Sequence, residues 1–142
     1  MPTQTPPCHI LAINNDLAVL TLFRDLLQDE GYRVSTQTYV DRDLAPIKQL
    51  CPDLIILDYM WANEDASWSL LQMLRMDPGT TAIAIVLCTG AVREVEALAD
   101  HLAQMGIRVV LKPFNIDQLT ATIAEALRSS ANGTGEPARA DG

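Results

Sequence analysis

Five short apolar runs, separated by stretches in which apolar residues recur every three or four positions, constrain this chain more than any other feature. His9-Ile10-Leu11-Ala12-Ile13 and Ala82–Cys88 are apolar on both faces, and Asp53–Asp58 is apolar inside and ends in a carboxylate. Strands covered on both sides of a sheet read this way. Tyr32–Thr36 alternates, as a strand of modest burial does, and Ile107–Leu111 is the fifth run. Between them, Leu20, Phe23 and Leu27 mark one helix after the capping side chains of Asn14-Asn15-Asp16. Asp43–Leu50 predicts a short helix with Pro46 in its first turn. Tyr59–Ser67 reads as loop, and Leu70, Leu71 and Leu74 line a third helix that Asp77-Pro78-Gly79 ends. Val92, Val95, Leu98 and Leu102 mark a fourth helix, ending at Gly106, and Ile116, Leu119, Ile123 and Leu127 the core stripe of the last. Strict alternation of five strands and five helices predicts an α/β fold, a doubly wound parallel sheet with helices on both faces and right-handed crossovers.

The chain of 142 residues has the length of one domain, with 49% hydrophobic and 20% charged residues. That composition supports a packed core without metal or disulfide staples. The expected folded unit is residues 8–128, with a flexible N-terminal tail at 1–7 and a disordered, Gly-, Ala- and Pro-containing tail at 129–142. The longest apolar run, Ala82–Cys88, is far shorter than the roughly 20 residues of a membrane span. A net charge of −8, with Lys48 and Lys112 as the only lysines, argues against direct binding to nucleic acid. Three scattered cysteines, Cys8, Cys51 and Cys88, indicate neither a zinc site nor a disulfide framework, and Met1–Pro7, which has no basic stretch followed by an apolar core, is not expected to be a secretory signal. A cytoplasmic location is expected. His9 and His101 lack ligand neighbours and read as surface or rim histidines.

In a doubly wound sheet the working site lies beyond the carboxyl ends of the strands. The residues there are Asn14-Asn15-Asp16, Asp58, Thr89-Gly90 and Lys112-Pro113. Asp58 is a candidate nucleophile. Thr89 offers a hydroxyl, Gly90 space and a backbone N–H, and Lys112 a mobile cation. Together they suit a phosphoryl group, whose oxygens need donors and positive charge. Each residue alone also has an ordinary role: a turn cap, a helix cap, a solvated lysine.

In order and spacing these pieces resemble the receiver domain of two-component response regulators. The resemblance rests on the Leu57-Asp58 strand end, Thr89, Leu111-Lys112-Pro113-Phe114, Gly31-Tyr32-Arg33-Val34 and Pro52–Asp58, and it covers residues 9–128. It implies a flavodoxin-like fold of strand order 2-1-3-4-5, phosphorylation of Asp58 by a partner histidine kinase or phosphotransfer protein, and Thr89 and Lys112 as residues that engage the phosphoryl group. It further implies a Mg2+ site formed by Asp58, the Met60 backbone carbonyl and the end of the first strand. Such a module is a signalling protein and not an enzyme. Here it would stand alone and act on a downstream protein through the fourth helix, fifth strand and fifth helix, where Val92, Arg93, Glu96, Arg108 and Val109 lie.

The chain departs from the family where the first strand ends. Asn14 and Asn15 stand where two acidic residues are usual, removing two negative charges and leaving Asn15 as an uncharged ligand. Asn14 and Asp16 could act through water, although Asp16 more ordinarily caps the helix. Metal affinity and phosphoryl transfer are expected to fall. Two readings stay open: weak, slow phosphorylation, or a pseudo-receiver acting as a phosphorylation-independent adaptor. Ala62 and Ala66 stand where Pro and Gly are usual, and Val109 where an aromatic switch residue often lies. Trp61 and Trp68 flank the same loop and are read as lids on the core. An aspartate-nucleophile phosphohydrolase would need a second acid where Met60 stands, and a flavodoxin-like cofactor site would need a Gly-rich first loop. Homodimerisation is left open.

Overall fold

Alternation along each strand divides the core in two. In the computed structural model, which describes residues 8–14, 16–38, 44–58, 64–89, 92–111 and 115–135, the elements run β1 (His9–Ile13), α1 (Leu17–Asp29), β2 (Arg33–Gln37), α2 (Ala45–Leu50), β3 (Leu54–Asp58), α3 (Glu64–Met76), β4 (Ala84–Thr89), α4 (Val92–Gln104), β5 (Ile107–Leu111) and α5 (Ile116–Gly135). All neighbouring strands are parallel, in the order β2-β1-β3-β4-β5. Ile10, Ala12, Leu54, Ile56, Ala84, Val86 and Val110 pack with Leu20, Phe23 and Leu27 of α1 and Leu119, Ile123 and Ala126 of α5. Their neighbours in sequence, Leu11, Ile13, Ile55, Leu57, Ile85 and Leu87, pack on the other face with Ile47 of α2, Leu70, Leu71 and Leu74 of α3, and Leu102 of α4. A period of two with apolar residues at every position therefore fills both layers, which a half-exposed sheet could not do. Among the described residues no helix is long and apolar enough to cross a membrane.

Local chemistry sets the helix ends. Asp16 caps α1 with its side chain, accepting from the N–H of Ala18 at 2.9 Å and of Val19 at 3.4 Å. At the other end Gly31, at φ 96°, lets its own N–H reach the Gln28 carbonyl and that of Tyr32 the Leu27 carbonyl. This is the paired closure that a left-handed residue after a helix makes.

Several expectations are corrected. Residues 64–67, read as loop, begin α3. Ala82 and Ile83, read as strand, belong to the turn before β4. The N–H of Ile83 donates to Thr80, and the Ile83 carbonyl accepts from Arg75. Ile116 is exposed and Ala126 takes its place in the core stripe, while Leu127 is only partly buried. The stripe begins one turn later than periodicity suggested. Helix α5 also continues past the boundary expected at 128, to Gly135. No proline falls between Pro113 and Pro137, so nothing in the backbone blocks continuation of the helix beyond its packed part.

His9 is a further correction. It is not a rim residue but 5% exposed. Its Nδ1 lies 3.0 Å from the Leu50 carbonyl and its Nε2 2.7 Å from Ser35 Oγ. A carbonyl can only accept, so Nδ1 carries the proton toward Leu50. The ring thereby ties the start of β1 to the end of α2 and to β2.

Candidate functional site

The strand register determines which residues meet at the carboxyl edge of the sheet. Ile13 pairs with Leu57, so Asn14 and Asp58 are the next residues on adjacent strands. Asp58 in turn pairs with Cys88, and Thr89, one residue on, pairs with Leu111. Asn14, Asp58 and Thr89 thus lie along one edge on β1, β3 and β4, where sequence reasoning put them. Lys112, Asn15, Met60 and Gly90 lie outside the described residues, as do Trp61 and Ala62. Asp58 is placed by its backbone as the last residue of β3.

Two of the polar side chains at this edge are buried. Thr89 is 1% exposed and Asn14 2%. A buried amide must find partners or lose stability. The Asn14 side-chain oxygen does so locally, its Oδ1 accepting the N–H of Asp16 at 2.8 Å, while the backbone N–H of Asn14 donates across to the Gln37 carbonyl of β2 at 3.1 Å. Asp16 is itself the α1 cap, its Oδ1 turned to Ala18 and Val19. The side-chain oxygens of Asn14 and Asp16 are therefore turned to the backbone of the β1–α1 turn and the start of α1. Sequence reasoning foresaw the cap and missed the amide bond, which a residue two positions before a cap and able to form an Asx turn signals in principle.

Among the described residues, the output surface expected from the resemblance carries an ion pair. Arg108 of β5 reaches Glu125 of α5 at 3.1 Å, both partly exposed. Val109 is half-buried against the core, and Glu96 is exposed. Trp68 is a partial lid, as expected: it packs on the α3–α4 layer and meets the ring of His101 edge-on, centroids 5.3 Å apart.

The second feature that sequence reasoning missed lies at the opposite end of the sheet. Arg75, in the last turn of α3, donates through Nε to the Met105 carbonyl at 2.6 Å and through Nη1 to the carbonyls of Thr81 at 3.0 Å and Ile83 at 2.6 Å. One guanidinium thus joins α3, the turn before β4 and the turn before β5. Thr80 and Thr81 complete the junction by donating their hydroxyls to the Leu74 and Arg75 carbonyls, which end α3 without helical partners.

Sequence and structure comparisons agree with this arrangement. The family profile that matches, over residues 10–124, is that of the response regulator receiver domain. The transcriptional regulatory protein ZraR of Escherichia coli K12 is 27% identical over 118 residues, 83% of this chain and 26% of that protein. The phosphate regulon transcriptional regulatory protein PhoB of Rhizobium meliloti is 30% identical over 119 residues, 84% of this chain and 52% of that protein. The chain thus spans about a quarter to a half of the length of these curated relatives. In fold, the crystal structure of a response regulator receiver domain protein from Clostridium thermocellum superposes with a TM-score of 0.74 at 19% identity, covering 87% of this chain and 97% of that one. The match of 115 consecutive positions, on a five-stranded sheet whose order and strand ends are those just described, places this chain in the response regulator receiver domain family.

Proposed function

We propose that this receiver accepts a phosphoryl group on Asp58 and signals by protein–protein contact. Receiver domains are signalling modules that interact with histidine kinases or phosphotransfer proteins. The single observation that carries the reading is the register: Asp58 ends β3 beside Thr89 of β4 and Asn14 of β1, at the edge where doubly wound sheets place their ligands. In this reading a carboxylate oxygen of Asp58 attacks the phosphorus of a phosphohistidine. The P–N bond breaks, its electron pair stays with the imidazole, and an acyl phosphate forms. Thr89 and Lys112 receive the transferred oxygens. A downstream protein then reads the α4–β5–α5 face, and a net charge of −8 favours a protein over nucleic acid as that partner.

Receiver domains typically bind Mg2+ at the phosphorylation site, where it neutralises charge on the transferring group. The donors described at the end of β1 fit such an ion poorly. Asn14 contributes no charge, and its Oδ1 already accepts from Asp16, whose own carboxylate caps α1. Asn15, Asp58 and the Met60 carbonyl remain as the proposed ligands, with a single carboxylate among them. The same observation favours a second reading, a pseudo-receiver that binds its partner unmodified.

Incubation of the full chain with acetyl phosphate and Mg2+, followed by intact mass measurement, separates the two. A gain of one phosphoryl group that is abolished in Asp58→Asn supports the phosphoacceptor. An unchanged mass, or an adduct that survives Asp58→Asn, supports the adaptor.

A further inference from the structure

The Arg75 junction borders a groove at the amino ends of β4 and β5, the end of the sheet away from Asp58. Its volume is about 770 Å3, within the size range of small-ligand sites. Ile83, Ala103, Met105 and Ala126 give it apolar walls, and Arg75 and Arg108 are its charged lining. The charge of Arg108 is met by Glu125. Arg75 differs: no described carboxylate forms an ion pair with it, and its partners are three neutral carbonyls. Those bonds engage Nε and Nη1, and no described acceptor takes the two N–H groups of Nη2. Burial lowers the pKa of this guanidinium, the sign expected of a cation whose charge is left uncompensated.

A half-buried guanidinium with two open donors, on an apolar groove, has the recognition chemistry of an acid with a hydrocarbon body. We propose that the groove is a binding site for a small organic monocarboxylate, its carboxylate on Nη2 of Arg75 and its apolar part along Ile83, Ala103 and Met105. This site is independent of Asp58 and of its phosphorylation. Phosphate satisfies the charge but leaves the apolar walls unfilled, and a neutral amide of the same shape does the reverse.

The test is titration of the full ¹⁵N-labelled chain with hexanoate, hexanamide or inorganic phosphate at physiological ionic strength, where long-range repulsion from the net negative charge is screened. Hexanoate is expected to shift the amides of Thr81, Ile83, Met105 and Arg108 saturably, with hexanamide and phosphate each about tenfold or more weaker. Arg75→Gln is expected to abolish binding but also removes the junction. Ala103→Phe, at an exposed helix position, fills the groove while leaving the Arg75 bonds in place, and is expected to weaken hexanoate about tenfold with an unchanged melting temperature. Equal affinity for hexanoate and either control, shifts scattered away from the groove, or undiminished binding by Ala103→Phe overturns the proposal.

Discussion

The Oδ1 atom of Asn14 accepts the backbone N–H of Asp16 at 2.8 Å, and Asn14 is almost wholly buried beside the end of β3. An aspartate at this position keeps the acceptor but adds a buried negative charge next to Asp58. Without metal, Asn14→Asp is expected to cost about 1–3 kcal/mol, the range for an uncompensated buried polar group. Mg2+ is expected to restore that loss, because an ion bound only by the folded state stabilises it by mass action. Thermal melts of both proteins with and without Mg2+ check this. A variant whose melting temperature ignores Mg2+ shows that charge at the end of β1 does not control the metal.

His9 links three elements through one ring, donating to the Leu50 carbonyl and pairing with Ser35 Oγ. His9→Leu preserves bulk and removes both bonds, leaving a carbonyl and a hydroxyl without their partner in a partly buried place. The expected loss is about 2 kcal/mol in urea unfolding. A change under roughly 0.5 kcal/mol, the size of an ordinary surface substitution, contradicts the linking role.

How much of this was legible in the sequence depends on the kind of signal. The strands β1 and β5 fall at the expected residues because unbroken apolar runs between polar punctuation have no other stable use. The strand ends followed from those runs, so Asn14, Asp58 and Thr89 were found together. The start of α3 was missed because polar residues at 64–67 have no apolar period, although Glu and Asp suit a first helical turn. The turn at Ala82 and Ile83 was missed for the opposite reason. Its residues are apolar, and its backbone is held by Arg75, whose side chain binds carbonyls six and eight positions later. Side-chain bonds to distant backbone leave no period in a sequence. The buried His9 was missed likewise, since its partners lie 41 and 26 residues away.

Lys48 and Asp77 join α2 to the turn after α3 at 2.7 Å. The Asp77 carboxyl is held below its ordinary value of 3.8, first by the hydrogen bond from Lys48 and then by the Gly79 N–H. A carboxylate with a lowered folded pKa stabilises fully above its ordinary value, and that contribution disappears as pH falls through the lowered one. Lys48→Met is therefore expected to raise the Asp77 pKa, read from its carboxyl ¹³C shift, and to reduce the loss of stability on acidification below that ordinary value. Both groups are partly exposed, so high salt is expected to shrink the difference. An Asp77 titration that is the same in both proteins removes the pair from the acid limb.

Cys51 adopts φ 50°, the only positive value at a non-glycine residue among those described, and it ends α2 in the left-handed conformation. That conformation costs an L-residue about 1–2 kcal/mol, whereas glycine adopts it freely but loses more chain entropy on folding, about 0.5–1 kcal/mol. The first effect is the larger. The Cys51 Sγ contact to the Lys48 carbonyl, 3.0 Å and exposed, is too weak to reverse the sign. Cys51→Gly is thus expected to stabilise the protein by about 0.5–1 kcal/mol. Cys51→Ala keeps the Cβ and the strain, and is expected to leave stability nearly unchanged. Urea unfolding of the three proteins decides it: equal midpoints for the glycine and alanine variants mean that the helix end holds no strain to relieve.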